Sequence, residues 1–309
     1  MQAELEQKDA ELADLRKRWK QTAKELNRLK TSQRRGLYQV TDRYLVDLAS
    51  RLRYNIRNIA IQYFEGSQEI RDPRHETTES IYSRYFTQVA PDAQRRSAYL
   101  GSNRGRSSVG QAFLWQIIIV EVFGQYLWTG SKLSGAINIL NDHMRQDRHP
   151  SAEFDIEACR NFQSWSAETT GMVLQTIEEK QEPEVSQFLN RVVKKIAAGI
   201  VDAILSIIDV ADEDGLELEI GMILHEALAL DKEVCRQVAR VDWTADKTPT
   251  NFDPDTMELE GDVELGTHGQ TACLVVAPGL RKRGKSSGED FDVDELLLPM
   301  VVSCFNTGS

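Results

Sequence analysis

The sequence predicts a mainly α-helical protein, with a coiled-coil-type N-terminal helix, then a helical bundle, then a short acidic C-terminal tail that contains β structure. Three observations carry this expectation. Apolar residues recur at heptad spacing over residues 5–29. From 111 to 241, segment after segment shows apolar steps of three and four. Beyond Trp243 the chain turns acidic and Pro-containing, with two short β-type runs at 271–276 and 296–302.

The heptad comes first. Leu5, Leu12, Trp19 and Leu26 are spaced by seven, with Leu15 and Leu29 three residues after members of that series. Lys8 and Thr22 are the polar exceptions on the seam. In a parallel pair Glu11 would face Arg16 and Glu25 would face Lys30, while Glu4 opposite Asp9 is unfavourable. Leu5, Leu12, Leu15, Trp19, Leu26 and Leu29 are the expected oligomerisation face. The competing reading is one long amphipathic helix packed on its own domain.

After Gly36, Thr41-Asp42 predicts an N-cap, and Leu45, Leu48, Leu52, Ile56, Ile59 and Tyr63 form an apolar face ending near Gly66. Residues 67–110 change character. Pro73, Pro91 and the run Gly101-Ser-Asn-Arg-Gly-Arg-Ser-Ser predict a linker with one short helix at 81–89. The bundle is expected over 111–241. Its helices are 111–128, 132–146 with Leu133, Ile137, Leu140 and Met144 inward, one from 151 or 152 to about 180, one opened by Pro183, and one over 219–240. The apolar stretch 113–128 holds Gln116, Glu121 and Gln125, so it reads as a core helix and not a membrane span. The expected organisation is therefore 1–66, a coiled-coil and basic helical segment; 67–110, a linker; 111–241, the bundle; and 242–309, an acidic linker and tail.

Charge is unevenly placed. Residues 1–110 balance to +7 and the remainder to −18, for a total of −11. Between Arg16 and Arg57 there are 13 basic and three acidic residues, a stripe that suits nucleic acid, an anionic membrane or an acidic protein surface, or that pairs with the chain's own acidic half or is simply solvated. The basic residues overlap and follow the heptads, which is the reverse of the bZIP order. The four cysteines, at 159, 235, 273 and 304, show no disulfide or zinc spacing. With a polar start and no Asn-x-Ser/Thr sequon, this predicts a cytoplasmic or nuclear protein.

Motifs that could carry chemistry fail on context. Gly279-Leu-Arg-Lys-Arg-Gly284-Lys285-Ser286 spells a phosphate-binding loop. A helix from Lys285 would be interrupted by Gly288, and the 23 residues after Ser286 cannot supply a supporting sheet, so an exposed loop without nucleotide is expected. His225-Glu226 lacks a second histidine at 229, where Ala stands. Asp212-Glu-Asp-Gly215 lacks the anchoring carboxylates of a calcium loop and reads as a helix-ending turn. Asp142-His143 and Asp147-His149 read as a solvated helix end. No catalytic residue, cofactor or metal site is predicted.

The stretch 276–304 carries Ala277-Pro-Gly-Leu, Lys282-Arg-Gly-Lys, Gly288-Glu-Asp-Phe and Leu297-Leu-Pro-Met-Val-Val-Ser-Cys. It resembles the tail of a family of uncharacterised coiled-coil and helical proteins from filamentous fungi, as does 37–64. The resemblance brings no catalytic residues. It implies that the phosphate-loop string is a feature of that tail. The expected function is a non-enzymatic interaction or scaffold protein that self-associates through its N-terminal coil. The alternatives are a nucleic-acid-associated regulator using the basic stripe and an enzyme with a pocket in the bundle.

Overall fold

Thr41 opens the first described helix, α1 (Asp42–Phe64), its side chain accepting from the Tyr44 amide at 3.2 Å while Asp42 sits in the positive first turn. The structure is a computed structural model that describes residues 38–65, 81–90, 93–144, 155–180, 183–245, 250–261 and 271–304. The oligomerisation face Leu5, Leu12, Leu15, Trp19, Leu26 and Leu29 lies outside the described residues. On α1 the anticipated face is buried at Leu45, Leu52, Ile56, Ile59 and Tyr63, with Leu48 half-buried and Phe64 added.

The remaining described helices are α2 (Ile81–Val89), α3 (Ala93–Leu100), α4 (Asn103–Glu121), α5 (Ser131–Met144), α6 (Ile156–Lys180), α7 (Pro183–Leu205) and α8 (Glu213–Cys235). Helix α1 runs antiparallel along α8: Val40 meets Gln237, Asn55 meets Glu226 at 2.7 Å, and Tyr63 meets Glu219. Helix α7 packs against α8 through Val193, Ile196, Ile200 and Ile204, and α4 packs beside α1 and beneath the sheet. Among the described residues no helix is long and apolar enough to cross a membrane.

Three sequence expectations need correction. The Gly/Ser/Arg run at 101–108 is not loop: Ser102 caps α4 by accepting from the Gly105 amide, and Ser107 and Ser108 are buried in its first turns. Small residues are there because neighbours crowd in. A Cβ on Gly105 would stand 2.2 Å from the Tyr99 carbonyl oxygen, and one on Gly110 would stand 2.9 Å from the Phe64 ring. Asp212-Glu-Asp-Gly215 starts a helix and does not end one, since Asp212 accepts from the Gly215 amide at 2.9 Å and two acids follow in the first turn of α8. On α5 only Ile137 of the expected face is buried; Leu133, Leu140 and Met144 are exposed, as is Ile139 at 71%.

The tail is more ordered than its composition suggests. Strands β1 (Arg240–Thr244), β2 (Thr250–Asn251), β3 (Met257–Leu259), β4 (Thr271–Ala277), β5 (Gly279–Arg283), β6 (Asp294–Leu298) and β7 (Met300–Cys304) form two sheets, ordered β1-β5-β6 and β2-β4-β7-β3. All pairs are antiparallel except β3 with β7. One bent hairpin runs through both sheets, giving β5 and β6 to the first and β4 and β7 to the second. The arm β4–β5 breaks at Pro278 and the arm β6–β7 breaks at Pro299, opposite one another, because proline offers no ladder donor. The run expected at 296–302 is thus two strands.

At that double break the Arg53 guanidinium of α1 donates to both orphaned carbonyls, Pro278 and, at 2.8 Å, Pro299. Leu274, Val276, Ala277 and Leu280 then join the core built by α1, α4, α7 and α8. Two further ties hold the sheet: Lys282 Nζ donates to Asp42 at 2.5 Å, and Trp243 on β1 stacks on Phe123 with ring centroids 4.7 Å apart. Burial pulls the Arg53 guanidinium down to about 10. Arg53→Met strips two part-buried acceptors of their donor, and the expected loss is on the order of 2 kcal/mol. Urea unfolding reads it as a lowered midpoint; an unchanged midpoint would mean that the carbonyls are satisfied without Arg53.

Candidate functional site

Described residues form a groove of about 360 Å³ between α7 and α8. Helix α7 lines it with Asn190, Val193, Lys194 and Ala197, one stripe at helical spacing. Helix α8 supplies Leu218, Gly221, Met222 and His225, with Asp214 and Glu217 at the end nearest its N-terminus. The floor is roomy at Gly221, where even an added Cβ would come no nearer than 4.0 Å to Val193. Leu218 and Met222, one turn apart, are 67% and 54% exposed.

These two side chains are exposed because α8 is apolar around much of its circumference. Leu216, Ile220, Ile223, Leu224, Ala227 and Leu228 satisfy the core, which leaves a second apolar stripe facing outward. The sequence carried that signal in the excess of apolar positions over 216–230, more than one buried face needs. Chemically, the groove offers methylene and thioether surface with charges at its ends. That suits an apolar side chain flanked by polar contacts.

A second cluster lies where α4 leaves the core. The chain from Val122 to Gly130 turns sharply, with positive φ at Gly124 (72°), Tyr126 (52°) and Gly130 (89°). Tyr126 is the costly one, since a side chain in the left-handed region is strained. Asp231 on α8 holds this corner: its carboxylate accepts from the Gly124 amide at 2.7 Å and from the Trp128 indole N–H at 3.0 Å, with the Cys235 thiol at 3.7 Å. Burial pushes the Asp231 carboxyl up to about 6, partly offset by these donors. Burial likewise raises the Tyr126 phenol, whose hydroxyl lies 3.5 Å from Ser166 Oγ. Asp231 is closed to solvent and satisfied by the chain itself, so the cluster works as an anchor. Sequence reasoning passed over it, because an aspartate inside an apolar helix announces no partner.

The phosphate-loop string takes a different form from the one expected. Gly279–Arg283 is β5, the middle strand of its sheet, with Leu280 and Lys282 buried, so most of the expected exposed loop is core strand. Gly284 (φ 76°) begins the turn. The amides there are committed within it: Gly284 to Val293, Lys285 to Glu289 and Gly288 to Lys285. Lys285 pairs with Asp290 at 2.6 Å, and Ser286 accepts at its carbonyl from Gln39. The next element is β6, not a helix.

The other singled-out residues do not converge. His225 faces the groove while Glu226 turns to Asn55 and Arg51 on α1. Asp142 and His143 end α5, and Asp147 and His149 lie outside the described residues. Of the basic stripe, Arg53 is consumed by the sheet, Arg51 lies 3.8 Å from Glu226, and Arg43 lies 4.0 Å from Asp47. Cys159 and Cys235 carry free thiols. Compared with protein-family models, curated proteins and solved structures, the chain matches none.

Two outcomes follow from this geometry. The folded-state pKa of Asp231 lies above the ordinary value of 3.8, so its contribution to stability is fully present below that value and is lost as pH rises through about 6. Asp231→Asn should therefore flatten the fall in stability between acid and neutral pH by on the order of 3 kcal/mol, read by urea midpoints across that window. For the β5–β6 turn, Mg-ATP should leave the melting temperature of the wild type and of Lys285→Ala alike. A nucleotide-dependent rise, lost in the variant, would overturn that.

Proposed function

We propose that this is a non-enzymatic interaction or scaffold protein. It self-associates through the heptad face of residues 5–29, and its helical body offers an apolar docking groove. The observation that supports the docking role is the α7–α8 groove itself. Two large apolar side chains at i and i+4, Leu218 and Met222, stand exposed over a floor of Val193, Ala197 and Gly221. Leaving such surface in water is unfavourable by roughly 25 cal/mol per Å², which favours its being covered. Spacing of this type matches one side of an amphipathic helix laid in a groove. The self-association part is supported by the sequence repeat, whose four or so heptads are near the minimum for a paired coil.

Light scattering on the full chain and on a chain beginning at Gln33 tests the proposal. The truncation spares every described residue, so the core is untouched. The full chain should give a dimer or larger species and the shortened chain a monomer. A monomeric mass for both would remove the self-association.

A further inference from the structure

We propose that the α7–α8 groove is the docking site for residues 15–30 of the same chain, so that one segment serves either the groove or self-association. The inference rests on the interaction reading above and adds a partner and a means of regulation to it.

Chemistry is the first argument. The segment carries Leu15, Trp19, Leu26 and Leu29 for an apolar floor, together with seven basic residues and a single acidic one, Glu25. The groove shows the complement. Asp214 and Glu217 line its open end, opposite a single lysine, Lys194, on α7; with Asp209, Asp212 and Glu213 just before them in sequence they make five acids within nine residues that contain no Lys or Arg. Opposite charge at the rim with apolar contact between is the pattern of a groove-bound amphipathic segment.

Reach is also sufficient. The described chain begins at Tyr38, whose ring lies 3.4 Å beneath the Arg236 guanidinium carbon at the C-terminal end of α8. Along α8, the groove extends from about 16 Å (His225) to about 33 Å (Asp214) from Arg236, at a rise of ~1.5 Å per residue. The eight steps from Lys30 to Tyr38 span up to about 26 Å when extended, so residues 15–30 can lie over the groove without disturbing α1. A tethered segment also meets its own groove at an effective concentration in the millimolar range, which favours this occupant over a second copy. Apolar side chains seated in the groove are withheld from a coiled-coil seam, so docking and self-association compete.

Amine-reactive cross-linking of the full chain, prepared as a mixture of isotopically light and heavy protein, tests this. The expected products join Lys194 to Lys17, Lys20 or Lys24 within chains of one isotope. In Leu218→Gln/Met222→Gln, exposed positions whose replacement should leave the circular dichroism intact, their yield should fall about tenfold. Absence of these products, an undiminished yield in the variant, or mainly mixed-isotope products would overturn the proposal. Light scattering on the same samples separates the two readings. Weak self-association that tightens in the double variant supports competition. A monomer that keeps the Lys194 links removes self-association and leaves the docking. A dimer that lacks them does the reverse.

Discussion

The Arg53 guanidinium, lying across the carbonyls of Pro278 and Pro299, is the contact on which the architecture turns. Two prolines break both arms of the long hairpin at the same level, which lets its ends belong to different sheets. A double break in a part-buried place leaves carbonyls without ladder partners, and buried acceptors without donors are costly. Arg53 supplies the donors from the middle of α1, so the helix that begins the described fold is fixed against the strands that end it. The pairing of Lys282 with Asp42 repeats the tie one end further along.

Helix α8 is the other organising element. Its inner faces receive α1 and α7, its C-terminal turn meets the chain at Tyr38 and Val40, and Asp231 pins the strained corner after α4. A buried carboxylate is an expensive anchor in water-free surroundings. It persists because a backbone amide and an indole N–H are aimed at it. The left-handed Tyr126 is tolerated for the same reason: the corner is fixed on both sides, by Asp231 and by the packing of Trp128 with Ile137 and Leu174.

What remains outward is informative. The stripe of α8 that no described helix covers is apolar, and the first turns of the same helix are acidic. Acids there stabilise the helix through its dipole. They also create a negative rim beside an apolar floor, which gives the groove a preferred sign of partner. The described part of the basic stripe works differently, for Arg53 is taken into the fold and Arg51 stands beside Glu226. Arg51 and Arg53 are thus turned to the helix's neighbours, while Arg43 lies beside Asp47 of the same helix.

The sequence alone determined the helices with strong three-and-four spacing. Leu45, Leu52, Ile56, Ile59 and Tyr63 fall on the buried face that their periodicity requires, because an amphipathic helix has only one economical way to meet a core. The Thr41 cap and the Pro183 start were equally local and equally legible. Tertiary structure decided the rest. The Gly/Ser run became helix since Ser102 caps it and Gly105 fits against the Tyr99 carbonyl, and the basic string at 279 became a central strand since β1 and β6 lie on both sides of it. The exposed face of α5 and the groove on α8 depend on which neighbours arrive. Periodicity states that a face is apolar, but only packing settles whether another element covers it.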